Sequence, residues 1–305
     1  MSLAVIMGDD RGSRLARLLK ERLPSEAVTL WPGIGNPEGV RFAVVWKHPA
    51  RALDALTGLE AVMSYGAGVD FLLADPVLRD IPVGRLVDPD LGQQIAGYVV
   101  AHVTALARDF AGLAVDQRAG QWRAGSRLVR PKVGILGLGS VGRAVAVACR
   151  TLGYDVAAWT RRPRDGEIRC RHGRPGLLAL ATESDFLVST LPATGETREL
   201  IDRSVFAAMR PDATIINVGR GECLVEDDLL TALDRGNLGR AVLDVFATEP
   251  LPDGHPFWSH PRVTVTPHVA GLTDPLRAAD IVARNYRHFI ATGELPDAVN
   301  RAAGY

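Results

Sequence analysis

Three residue types that can work together on a carbonyl stand just beyond apolar runs in the second half of the chain. Arg220 lies between glycines in Asn217-Val218-Gly219-Arg220-Gly221. Glu249 follows Asp244 in Asp244-Val245-Phe246-Ala247-Thr248-Glu249-Pro250, and His268 lies in Thr266-Pro267-His268-Val269-Ala270-Gly271. A guanidinium can hold a carboxylate and polarise a carbonyl, an imidazole can deliver a proton, and a carboxylate beside the imidazole favours its charged form. Together they suit reduction of a 2-oxo acid. Singly, each has a plainer explanation: a surface arginine, a turn glutamate, a packed core histidine. Their shared place at strand ends, where parallel sheets gather ligands, is what makes them a set.

A reductant site precedes them. Pro131-Lys132-Val133-Gly134-Ile135-Leu136 is a buried-strand pattern, and Gly137-Leu138-Gly139-Ser140-Val141-Gly142 continues it into a small-residue helix. In this Gly-x-Gly-x-x-Gly arrangement Gly137 makes the turn, Gly139 lets backbone approach a pyrophosphate, and Gly142 lets helix pack on strand. Ser140 and Val141 open the helix whose N-terminus receives the phosphates. The next strand ends Trp159-Thr160-Arg161-Arg162, with no carboxylate where an adenosine ribose would be bound. Arginines there fit a 2′-phosphate, so NADP(H) is expected in preference to NAD(H), which stays possible. The alternative is that Arg161 and Arg162 decorate an exposed loop.

Positioning these residues requires strands and helices in alternation, and the chain supplies it throughout. Leu3–Met7, Ala27–Trp31, Phe42–Trp46, Ala61–Tyr65 and Val83–Val87 read as strands of a first α/β unit. Two of its strand ends are polar or Gly-rich: Trp46-Lys47-His48-Pro49, and Ser64-Tyr65-Gly66-Ala67-Gly68-Val69-Asp70. A long helical pattern from Gln93 to Phe110, with Ile95, Val99, Val103, Leu106 and Phe110 near one face, crosses to the second unit; His102 reads as a core or interface residue. Asp155–Trp159, Phe186–Thr190, Thr214–Val218, Arg240–Phe246 and Val263–Pro267 are the further strands. Asp274-Pro275 opens a last helix reaching about Ile290. The fold class is α/β, two doubly wound parallel-sheet domains, divided into 1–94, 95–274 and a returning 275–305.

Composition narrows the classes. The 305 residues exceed a usual single core, and 35 basic residues balance 35 acidic ones, which argues against a nucleic-acid surface. No apolar run approaches the roughly 18 residues of a membrane span, and the N-terminus lacks a signal-peptide pattern. Cys149, Cys170 and Cys223 are too dispersed for a disulfide framework or a metal cluster. A soluble, cytoplasmic protein without metal is expected.

The glycine fingerprint, Gly219-Arg220-Gly221, Leu243-Asp244-Val245-Phe246 with Glu249-Pro250, and Thr266-Pro267-His268 occur in the order of the D-isomer-specific 2-hydroxyacid dehydrogenases. More closely, the chain resembles their glyoxylate/hydroxypyruvate reductase A branch. Val225-Glu226-Asp227-Asp228-Leu229-Leu230, Ser259-His260-Pro261-Arg262-Val263-Thr264-Val265-Thr266-Pro267-His268 and the terminal Ala303-Gly304-Tyr305 add to the match. The resemblance implies a Rossmann NAD(P)-binding domain inserted into a flavodoxin-like substrate domain, and a homodimer. It makes His268 the acid/base, Glu249 its partner and Arg220 the carboxylate ligand. Asp244 would face the nicotinamide, Leu191 and Pro192 would line the adenine side, and Val218, Gly219 and Gly271 would also border the cofactor. Gly66, Ala67 and Gly68 would offer amides to the substrate carboxylate, Trp46 and Lys47 would close its pocket, and Trp258 is an apolar wall or a core or interface tryptophan. Gly97 departs from the family pattern, which commonly has glutamate there. Phosphoglycerate, formate and phosphite dehydrogenases, dehydrogenases of longer 2-oxo acids, and a nicotinamide-sensing corepressor share the fold and stay open as alternatives.

Overall fold

A computed structural model describes residues 2–78, 80–124, 130–163 and 165–301, so the Ala303-Gly304-Tyr305 motif lies outside the described residues. The chain forms two compact units, Met1–Asp88 with Thr273–Tyr305, and Pro89–Leu272. The sequence pattern put the divisions at 94/95 and 274/275.

The first unit contains strands β1 (Ser2–Met7), β2 (Ala27–Leu30), β3 (Val40–Trp46), β4 (Ala61–Ser64) and β5 (Val83–Gly84), with helices α1 (Arg11–Arg22) and α2 (Asp70–Leu73). All pairings are parallel, in the order β2-β1-β3-β4-β5, the flavodoxin-like order. Side-chain alternation divides the core in two. Leu3, Val5, Phe42 and Val44 face Leu15 and Leu19 of α1, whereas Ala4, Ile6, Ala43 and Val45 face Leu53, Leu72 and Leu78. A strand buried on both faces must be apolar throughout, which is why β1 and β3 read as unbroken apolar runs. The first face is completed by the helix Pro275–Thr292, whose Tyr286 ring meets Phe42 edge-on at 5.5 Å. Asp274 starts that helix by accepting the amides of Leu276 and Arg277.

The second unit runs α3 (Pro89–Ala107), α4 (Phe110–Arg118), β6 (Lys132–Leu136), α5 (Ser140–Thr151), β7 (Asp155–Thr160), β8 (Arg169–His172), α6 (Gly173–Glu183), β9 (Phe186–Ser189), α7 (Arg203–Ala208), β10 (Thr214–Asn217), α8 (Glu226–Asp234), β11 (Arg240–Leu243) and β12 (Val263–Val265). The helix Pro275–Thr292 of the first unit is α9. The second sheet is parallel in the order β12-β11-β10-β9-β6-β7-β8, a doubly wound Rossmann arrangement whose order reverses beside β6.

Three elements differ from the sequence pattern. The helical stretch 93–110 is two helices, because Asp109 adopts φ 51° and accepts the Gly112 amide to start α4. Phe110 is therefore 55% exposed rather than on the packed face. Strand β8 carries no apolar run; it is a sheet edge whose Arg169 and Arg171 pair with Glu183 of α6. Strand β11 ends at Leu243, and the buried Val245 and Phe246 belong to the turn beyond it.

Candidate active site

The nucleotide half of the second unit is built by close approach. Gly137 has φ 90°, and its amide donates to Trp159 O at 2.9 Å. A Cβ at Gly142 would lie 2.0 Å from Gly137 O, so only glycine lets α5 start there, whereas a Cβ at Gly139 would meet no protein atom within 4 Å. That open backbone at the helix N-terminus, with Ser140 and Val141 in the first turn, fits a pyrophosphate. Thr190 Oγ1 donates to Gly137 O at 2.9 Å and holds the turn beside β9. Thr160 Oγ1 bonds Arg162 O at 2.8 Å, and the Arg161 guanidinium is ion-paired with Glu196. The loop-decoration alternative thus fits Arg162, which is exposed, better than Arg161. Leu191 and Val218 are buried at the ends of β9 and β10, and Pro192 O accepts the Cys223 thiol at 3.3 Å. A Cβ at Gly271 would lie 2.7 Å from Leu91 and Ile95, which gives this glycine a packing reason on α3.

The three chemical residues come from the ends of β10, β11 and β12. Arg220 follows Gly219, whose Cβ would lie 2.6 Å from Leu191 backbone, and precedes Gly221, whose Cβ would lie 1.8 Å from Phe246 C. Both glycines are required by backbone contact, and the second seats the arginine loop against the turn leading to Glu249. His268 Nδ1 lies 2.9 and 3.1 Å from the two Glu249 oxygens, and Glu249 Oε1 also accepts the Phe246 amide at 3.3 Å. With its Nδ1–H on the carboxylate, the half-exposed imidazole keeps Nε2 for another partner. The histidine backbone has φ 56°, the left-handed region that costs a non-glycine residue about 1–3 kcal/mol and persists only when the surroundings impose it.

Asp244 imposes it. Its carbonyl accepts the His268 amide at 2.9 Å. Its fully buried carboxylate accepts Val269 N and Thr266 Oγ1 on Oδ1 at 2.9 and 2.6 Å, and Ala270 N on Oδ2 at 2.9 Å. The sequence reading gave Asp244 only a cofactor contact and Thr266 no role. Tyr98 of α3, 2.7 Å from Thr266 Oγ1, was missed altogether. No sequence signal joins residues this far apart in the chain.

In the first unit, Trp46 ends β3 and Lys47 follows it at φ 41°. The Trp46 ring fills the space where a Gly66 Cβ would stand, at 2.3 Å, and meets Phe71 at 5.5 Å. The Gly66 amide donates to Ser64 Oγ at 3.2 Å, and Ser64 donates to Gly68 O at 2.8 Å. The hydroxyl folds the loop, and the Ala67 and Gly68 amides are the candidate donors. His48, behind Lys47, bonds Asp75 at 2.8 Å. Trp258 is 54% exposed, so it is a surface rather than a core tryptophan, with its indole N–H on Pro252 O.

Residues 100–270 match the family model described as D-isomer specific 2-hydroxyacid dehydrogenase, NAD binding domain. Glyoxylate/hydroxypyruvate reductase A of Serratia proteamaculans is 38% identical over 278 residues, 88% of each chain. A D-isomer specific 2-hydroxyacid dehydrogenase from Xanthobacter autotrophicus Py2, solved with NADPH and MES, has TM-score 0.92 at 36% identity, covering 100% of this chain and 99% of that one. An NADPH-dependent glyoxylate/hydroxypyruvate reductase from Sinorhizobium meliloti, solved with NADP and sulfate, has TM-score 0.91 at 32% identity over 100% and 99% of the two chains.

Proposed function

This chain belongs to the D-isomer specific 2-hydroxyacid dehydrogenases, and from that premise we propose that it reduces a small 2-oxo acid, glyoxylate or hydroxypyruvate, to the D-2-hydroxy acid with NADPH. The observation that carries the reading is the His268–Glu249 pair, 2.9 Å apart, on a loop whose backbone is held in a costly conformation. Dihydronicotinamide, when bound, supplies a hydride to C2 of the oxo acid. His268 Nε2 delivers the proton to the carbonyl oxygen, while Glu249 holds Nδ1–H and so fixes the ring. The Arg220 guanidinium neutralises the substrate carboxylate and the charge developing on oxygen. In the first unit, the Ala67 and Gly68 amides and Lys47 are the candidate carboxylate donors. Arg161 takes the 2′-phosphate, which replaces Glu196 as its partner; the NADP-bound relatives support this choice of cofactor.

Loss of absorbance at 340 nm with NADPH or NADH and glyoxylate, hydroxypyruvate, pyruvate or phenylpyruvate tests the reading. The expected result is fast NADPH oxidation with the first two acids, reduced about 10²–10⁴-fold in His268→Gln with NADPH affinity retained. Tight NADPH binding with no turnover on any acid would overturn it.

A further inference from the structure

Tyr98 has no part in the chemistry above, yet its hydroxyl ends a chain of hydrogen bonds beneath the His268 loop. It lies 2.7 Å from Thr266 Oγ1, which lies 2.6 Å from Asp244 Oδ1. Proton inventory sets the direction. Asp244 takes backbone N–H donors on both oxygens, from Val269 and Ala270, as a carboxylate does. Thr266 has one hydroxyl proton and gives it to that carboxylate, so Tyr98 donates to Thr266. Burial pushes the Tyr98 phenol up, a bond with Thr266 opposes this and the Asp244 charge adds to it, so the donor keeps its proton at neutral pH. The His102 ring packs on the Tyr98 ring, with centroids 4.5 Å apart.

We propose that Tyr98 and Thr266 are positioning residues for His268, setting the loop 266–270 through Asp244; this rests on His268 being the acid of the proposed reaction. The loop is gripped twice. Asp244 holds the amides of His268, Val269 and Ala270, and the Thr266 hydroxyl, oriented from α3 by Tyr98, holds Asp244 Oδ1 in place. Without the phenol, Thr266 is free to rotate its hydroxyl off the carboxylate, and the strained histidine backbone loses part of what imposes it.

The test is Tyr98→Phe, which keeps the ring on His102 and deletes the donor. The expected result is a kcat reduced about five- to tenfold, with KM and the NADPH Kd within about twofold of wild type. Thr266→Val should lose as much, the double variant no more than either single one, and Thr266→Ser should restore the rate, because the two hydroxyls act in one chain. An unchanged kcat in Tyr98→Phe, losses that multiply in the double variant, or a matching loss of NADPH affinity would each overturn the proposal. If the wild-type protein reduces no 2-oxo acid, the reaction assignment fails, and the positioning is read separately from the ¹⁵N signals of the His268 ring, assigned with His268→Gln. Displaced His268 signals in Tyr98→Phe support it, and unmoved ones refute it.

Discussion

Replacing Glu249 by Gln separates orientation from proton delivery. The amide keeps the side chain's shape, and its carbonyl can still accept the Phe246 amide, 3.3 Å from Oε1 in the native protein. What disappears is the negative charge 2.9 Å from His268 Nδ1. A hydrogen bond to a charged group contributes about 1.5–3 kcal/mol, a neutral one about 0.5–1.5, so the difference is about 1–2 kcal/mol. The imidazole side chain is 37% exposed, and solvent screening places the loss near the lower end, about 1 kcal/mol. That corresponds to about a fivefold fall in kcat/KM for glyoxylate. His268→Gln, which removes the acid itself, should fall about 10²–10⁴-fold. Initial rates with saturating NADPH give both ratios, and NADPH fluorescence titration checks that cofactor binding survives. A Glu249→Gln enzyme as fast as wild type would show that the pair is only a packing contact. One as slow as His268→Gln would show that the carboxylate does more than orient the ring.

Three further outcomes follow from the geometry. Gly221→Ala drives a Cβ to 1.8 Å from Phe246 backbone; the strain should cost about 1–3 kcal/mol or more, visible as a Tm several degrees lower, and an unchanged Tm would refute the close-approach argument. Glu196→Gln should raise the preference for NADPH over NADH by releasing Arg161, and Arg161→Ser should lower it about tenfold or more; a preference unchanged or raised in Arg161→Ser by paired kcat/KM measurements would remove Arg161 from the phosphate site. Burial pushes the Asp202 carboxyl up, but bonds from Arg174, Ser204 and the Val205 amide outweigh it and hold the carboxyl below its ordinary value. A depressed folded pKa adds stability above the unfolded value, near 4, and loses it as pH falls through the folded one. Arg174→Gln should therefore lower Tm at pH 7, and the gap to wild type should close as acid protonates the Asp202 carboxyl, in thermal scans; a gap that persists in acid would mean that packing, not charge, was lost.

Much of this molecule is legible in its sequence. A strand buried on both faces has to be an unbroken apolar run, so β1, β3, β6 and β10 announce themselves, and a glycine fingerprint between strand and helix leaves few folds. The strand-end positions of Arg220, Glu249 and His268 follow from the same alternation. Element ends were less legible. The break at Asp109 depends on one residue in a left-handed conformation with a side chain capping Gly112, and β8, an exposed edge full of arginines, has no core to write a pattern into its sequence.

The sequence by itself determined the sheet order class, the place of the cofactor turn and the residue types available for chemistry, because periodic burial and backbone sterics are local. Tertiary structure alone decided which polar groups are spoken for. The Gly66 amide is taken by Ser64, Arg161 by Glu196, and the Asp244 carboxylate by Thr266, Val269 and Ala270, with Tyr98 behind them. A hydrogen bond needs its partners within about 3 Å and aligned, and residues 98, 244 and 266 meet only when α3, β11 and β12 pack around one sheet.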